Sequence, residues 1–250
     1  MKFVSFGLKN NLNSLNICTL IRNSAHFTGL GTDDRSNVCE GALLKTVTEQ
    51  ITETYRVKGS KFIGHLFPAV SLEAFEKQLE LRVRAHPSAS HHCYAWRLDP
   101  TDPTEFAQDA GEPSGTAGLP ILNQLKSADL INCGCVVSRY FGGTKLGKPG
   151  LIEAYGHTAS LCISHSELWP LVPTRVYDIR YPYDMQGVVE TWRSRYDLVE
   201  KDAVYLEEIR LRVACPASMA SSFLDELEGS AHLLHDYDEL GASYEIGTKR

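Results

Sequence analysis

The sequence predicts an α+β protein of two ordered domains, the second a ferredoxin-like βαββαβ unit. Three observations predict it. Period-two and helical apolar spacings alternate along the chain from about residue 44. The run Trp169-Pro170-Leu171-Val172-Pro173 interrupts them. Beyond it the elements read strand, helix, strand, strand, helix, strand. A chain of 250 residues is long enough for two such domains, and 43% hydrophobic with 22% charged residues is a globular composition.

Residues 1–43 read as a poorly ordered extension, rich in Asn, Ser, Thr and Gly and without sustained periodicity. Residues 44–168 form the first domain. Thr46 to Val57 is rich in β-branched residues, and Phe62 to Val70 reads as a second strand. Ser71 is placed to cap a helix carrying Leu72, Phe75, Leu79 and Val83, which Pro87 ends. His92 to Leu98 alternates as a strand. Asp99 to Pro113 is polar and Pro-containing, and reads as a loop. Pro120 suits the first turn of a helix with Ile121, Leu122 and Leu125. Asn132 to Tyr140 reads as a buried strand, followed by a Gly-rich loop and a helix from about Gly150 to Ser164. Residues 169–174 are expected as a linker. Residues 175–250 then supply a strand over Arg175 to Tyr181 and a helix through Val188, Val189 and Trp192, capped by Asp184. Ala203 to Ala214 reads as two short strands or one bent one. A helix over Ala217 to Leu227, closed by Gly229, and a last strand over Ala242 to Ile246 complete the unit.

The seven cysteines are odd in number and irregularly spaced, and form no CxxC pair. Reduced, buried thiols in a cytoplasmic protein are the expectation, with no metal site and no cofactor. No apolar run of 18 residues occurs, so no membrane span is expected, and Asn10, Asn11, Asn13, Ser14 and Asn16 break every candidate signal-peptide core. The net charge of −6 is unevenly placed: residues 171–250 hold nine basic and fifteen acidic residues, and the rest of the chain is neutral. An anionic partner is therefore expected to meet the N-terminal part.

Two loops hold most of the candidate chemistry. Asp109, Glu112, Ser114 and Thr116 put two carboxylates and two hydroxyls before a helix N-terminus, where free N–H groups suit an anion. The second loop, from Arg139 through Tyr140, Phe141, Gly142, Gly143, Lys145, Gly147 and Lys148 to Gly150, has three cations, no acid and two adjacent aromatics. Its glycines permit close backbone approach. It matches neither a P-loop nor a dinucleotide fingerprint. Cations beside rings fit nucleic acid, neutralising phosphates while the rings stack on bases.

The residues of these loops carry a resemblance. The segment Gly111 to Gly118 (GEPSGTAG) is followed by Ile121-Leu122, Leu125, Leu130, Val136-Val137, Arg139-Tyr140-Phe141-Gly142-Gly143 and Leu146-Gly147. This pattern resembles the signature of the IMPACT/YigZ family. The resemblance implies a ribosomal-protein-S5-like (S5 domain 2-like) N-terminal domain before the ferredoxin-like one, a pair similar to two consecutive domains of elongation factor G. It implies a role in regulating translation. Eukaryotic relatives act by contacting the activator of an amino-acid-starvation kinase. They carry a different second domain, so that partner does not carry over. Three residues depart from the pattern. Ala110 stands where a second Asp is usual, Glu153 where Arg is frequent, and Lys148-Pro149-Gly150 where a small residue and two glycines are.

Three functions follow. In the first, a non-catalytic regulator binds RNA or the ribosome through the N-terminal domain, and replacing Arg139, Lys145 and Lys148 by Ala weakens binding. In the second, an enzyme acts on a phosphorylated or nucleotide substrate, with Asp109, Glu112 and His92 as acid/base groups. His91 and His92 point to opposite faces of a strand and cannot readily share a metal. In the third, the acidic C-terminal domain is a scaffold for a protein partner.

Overall fold

Strand parity organises the N-terminal domain. The computed structural model describes residues 43–247. The extension expected over residues 1–43 lies, apart from Leu43, outside the described residues. The strands β2 (Ile51–Val57), β3 (Ser60–Pro68), β4 (His91–Leu98), β5 (Thr104–Gln108) and β6 (Cys133–Tyr140) form one antiparallel sheet in the order β2-β3-β6-β4-β5. On one face Phe62, Leu66, Cys93, Ala95, Cys135 and Val137 pack beneath α2 (Gly118–Ser127) and α3 (Gly147–Ser164). On the other, Phe67 and Val136 pack with Phe75 of α1 (Leu72–Ala85). Ser71 caps α1 as the sequence predicts, its Oγ accepting from the Ala74 N–H at 3.2 Å. Helices on both faces force this alternation, because each face of the sheet has its own apolar partner.

The C-terminal domain contains β7 (Leu168–Tyr181), α4 (Gln186–Arg195), β8 (Val199–Tyr205), β9 (Ile209–Pro216), α5 (Ala220–Gly229) and β10 (Asp236–Ile246). Its sheet runs β10-β7-β9-β8, all antiparallel, which is the ferredoxin-like order. Trp192 and Phe223 of the two helices close one face over Tyr177, Ile179, Leu211 and Val213. On the open face Asp178 accepts from Arg210 and Arg212. The bonds from Arg210, opposed by burial and joined by those from Arg212, hold the Asp178 carboxyl below the usual carboxylate range. The α+β class expected from the sequence is observed, and the C-terminal strands take the ferredoxin-like order expected of them.

Four local expectations are corrected. Residues 169–174 are strand, not linker. The start of β7 pairs with β1 (Lys45–Val47), the Leu171 N–H donates to the Leu44 carbonyl at 2.8 Å, and Leu171 is buried. Pro170 and Pro173 need only accept there, from Gly247 and Ala217, so their missing N–H groups leave no gap. Thr104 to Gln108, expected as loop, is the edge strand β5. Phe106 stacks on Trp96 with centroids 6.0 Å apart, and such a cross-strand aromatic pair holds an edge strand. Helix α3 starts at Gly147, three residues earlier than expected. The cap expected of Asp184 is absent, since a 3-10 turn over Tyr183–Met185 leads into α4. Among the described residues no helix is long and apolar enough to cross a membrane.

Candidate functional site

The two candidate loops converge. Glu112 and Pro113 of the first, with Arg139, Phe141, Lys145, Leu146, Gly147 and Lys148 of the second, line a cavity of about 410 Å³ that Leu151 of α3 closes. Its floor is a buried polar network. Arg139 Nη1 donates to Glu112 Oε1 at 2.6 Å, and the Tyr155 hydroxyl donates to the same oxygen at 2.8 Å. Arg139 is 6% exposed and Glu112 9%. The Arg139 guanidinium lies 5.5 Å from the Phe62 ring centroid and 5.6 Å from that of Phe141, a cation–π arrangement on both sides. Burial, reinforced by the nearby Cys93 and Glu112, pushes the Tyr155 phenol far above its ordinary value, so it stays a donor. Glu112 is therefore a carboxylate already committed to two donors.

Asp109 has a structural task. Its carboxylate accepts from the N–H groups of Gly115 at 2.8 Å and of Ala117 and Gly118 at 2.9 Å each. Burial raises its pKa, but the bonds from Gly115, Gly118 and Ala117 outweigh it and hold the carboxyl below its ordinary value. The N-terminus of α2, expected from the sequence as an anion site, thus carries the chain's own anion. Thr116 is buried and donates to the Pro113 carbonyl at 2.6 Å. Ser114 is exposed on the turn. The main chain of this loop is tied down as well. Cys93 Sγ donates to the Asp109 carbonyl at 2.9 Å, its thiol pushed up to about 12 by burial. His91 Nδ1 donates to the Ala110 carbonyl at 2.9 Å.

Parity separates the remaining candidates. Tyr140 follows Arg139 on the strand and so faces α1. Its hydroxyl meets His86 Nδ1 at 3.1 Å and its ring lies 5.9 Å from Lys61 Nζ. His92 lies on that same face, with Nδ1 2.9 Å from Ser138 Oγ, away from Asp109 and Glu112. The acid/base set of Asp109, Glu112 and His92 is not assembled. The neighbour His91 instead pairs across the sheet with Arg139, its Nε2 4.0 Å from Glu112 Oε1. Strand parity applied to the Arg139 register would have selected His91. Tyr155 carried no local signal, because only the fold brings α3 to Glu112. Among the described residues no group of three His, Cys, Asp or Glu could hold a metal ion.

The second loop is pinned at its root and open at its tip. A Cβ on Gly142 would stand 1.9 Å from the carbonyl carbon of Gly59, so this residue must be Gly for the β2–β3 turn to dock against it. The Gly142 N–H donates to Ser60 Oγ at 3.2 Å. Gly147, at φ +72, turns the chain into α3. Between them Lys145 and Lys148 are exposed, with no ion-pair partner among the described residues, and Phe141 is 51% exposed. Three cations against one carboxylate leave the cavity with an excess charge of about +2, which favours anions.

The comparisons with known proteins point to one family. The Impact N-terminal domain matches residues 58–163. The chain is 32% identical over 191 residues to the IMPACT family member YigZ of Escherichia coli (strain K12), covering 74% of this chain and 93% of that protein. It is 31% identical over 178 residues to the IMPACT family member YvyE of Bacillus subtilis (strain 168), covering 71% and 82% respectively. A crystal structure of a hypothetical protein superposes with a TM-score of 0.58 at 27% identity, over 83% of this chain and 98% of that one.

Proposed function

The chain belongs to the IMPACT family, and from that premise we propose that it is a non-catalytic, cytoplasmic regulator of translation that contacts RNA or the ribosome through the Phe141–Lys148 loop. The observation that carries the reading is the loop itself, which sets the exposed Phe141 ring beside the exposed, unpaired Lys145 and Lys148 at the mouth of a positive cavity. Exposed ammonium groups neutralise phosphates and release counterions, and an exposed ring offers a base a stacking face. The acidic C-terminal domain faces away from this role by charge, with fifteen acidic against nine basic residues in 171–250. The cytoplasmic placement is supported by Cys93, Cys133, Cys135, Cys162 and Cys215, all buried free thiols.

Arg139 lines the cavity floor and is not exposed on the loop as the two lysines are. It is buried against Glu112, so Arg139→Ala would strand a buried carboxylate and unfold the site rather than report on binding. The test is co-sedimentation of the protein with ribosomes and with single-stranded RNA, comparing the parent chain with the Lys145→Ala/Lys148→Ala variant. The double variant is expected to lose most of the sedimenting fraction at physiological salt while keeping its thermal midpoint. Equal sedimentation of the two proteins would exclude this loop as the contact.

A further inference from the structure

We propose that the cavity under the Phe141–Lys148 loop receives the terminal phosphate of a nucleotide, presented either by the end of an RNA chain or by a free nucleoside monophosphate. The inference rests on the RNA-contact reading and specifies which part of the RNA enters.

The first argument is shape. A volume of about 410 Å³ bounded by two loops and a helix suits one small ligand, within the roughly 300–1,000 Å³ of such sites, and not a strand running through. The second is charge. Lys145, Lys148 and Arg139 against Glu112 leave about two positive charges. A terminal phosphate monoester carries about −1.5 to −2 at neutral pH, whereas an internal diester carries a single charge. The third is the donor set. The first turn of α3 lines the cavity through Gly147 and Lys148 and has neither a side-chain cap nor an acidic residue. The N–H groups of Gly147 and Lys148 have no partner within the helix. Helix α2 differs, because Asp109 occupies the same position there.

A further feature points to a ligand and not only to a helix end. Arg139 lines the cavity while 6% exposed, and its Nε has no hydrogen-bond partner among the described residues. One contact to Glu112 does not saturate its five donors. Phe141 and Leu146 give the cavity mouth an apolar surface for the attached base or sugar.

The experiment is fluorescence anisotropy with one oligoribonucleotide sequence carrying a 5′-phosphate, a 3′-phosphate or hydroxyl ends, with adenosine 5′-monophosphate as competitor. One phosphorylated form is expected to bind at least tenfold tighter than the hydroxyl-ended form. Lys148→Met is expected to abolish that preference while leaving the circular dichroism spectrum unchanged. Binding of hydroxyl-ended RNA with no gain from either phosphate overturns the inference and leaves the RNA reading standing. Binding of a fluorescently labelled adenosine 5′-monophosphate in a direct titration, sensitive to Lys148→Met, with none of the RNAs bound supports the pocket and assigns it to the free nucleotide. Binding of neither RNA nor mononucleotide overturns both readings.

Discussion

At the scale of single residues, the cavity floor is held by side chains that look reactive in the sequence and prove to be structural. Asp109 is the clearest case. Three N–H groups converge on its carboxylate. Replacing it by Ala is expected to cost about 2 kcal/mol, the upper end of the range for a helix cap, read as a lower urea midpoint. Retained stability would mean that α2 is capped otherwise. Ala110 adopts φ +45, a left-handed conformation that Asn tolerates better than Ala. Ala110→Asn is expected to raise stability by about 0.5–1 kcal/mol, since the side chain can bond locally where the β-carbon alone is strained. A lower midpoint would contradict the strain. His65 carries a pH dependence. Its Nδ1 meets Thr52 Oγ1 at 2.9 Å and its Nε2 meets His86 Nε2 at 3.2 Å. Burial, then the Arg82 and His86 charges, lower its pKa from 6.5 to about 4. The unfolded chain therefore binds a proton that the folded chain refuses. The stability held above pH 6.5 is expected to fall as pH drops from 6.5 towards 4. Urea midpoints against pH should show a shallower fall in His65→Gln than in the parent, and parallel curves would refute the assignment.

At the scale of elements, the sequence was legible wherever one face of an element meets one apolar partner. Ser71 and Phe75 announced α1, and the apolar run over Cys133 to Tyr140 announced β6. It was less legible where the deciding partner lies far along the chain. Pro170 and Pro173 read as breakers, but their neighbours Gly247 and Ala217 ask only for their carbonyls. Thr104 to Gln108 lacks an apolar face of its own and becomes a strand because Phe106 finds Trp96. The candidate site divides in the same way. The sequence named both loops and their cations, because Gly, Lys and aromatic residues are local signals. It did not separate Arg139 and Phe141 from Tyr140 and His92, because that needs the sheet register. The strand reading of residues 169–174 predicts slow amide exchange at Leu171, whose N–H is bonded to Leu44. Exchange as fast as in an unstructured peptide would restore the linker.

At the scale of the whole molecule, charge and architecture divide the labour. Residues 171–250 carry the entire negative balance, while residues 1–170 are neutral overall and positive charge concentrates at one cavity. The strand β7, hydrogen-bonded to β1 at its start and to β9 and β10 beyond, replaces the expected linker. An anionic chain is therefore steered to one end of the molecule and repelled from the other. The salt dependence of RNA affinity measures this directly. Each phosphate neutralised on a single strand contributes about 0.7 to the slope of log affinity against log salt concentration. With Lys145 and Lys148 as contacts, the double Ala variant is expected to bind single-stranded RNA with a slope shallower by about 1.4. A slope unchanged by removing both lysines would contradict the account.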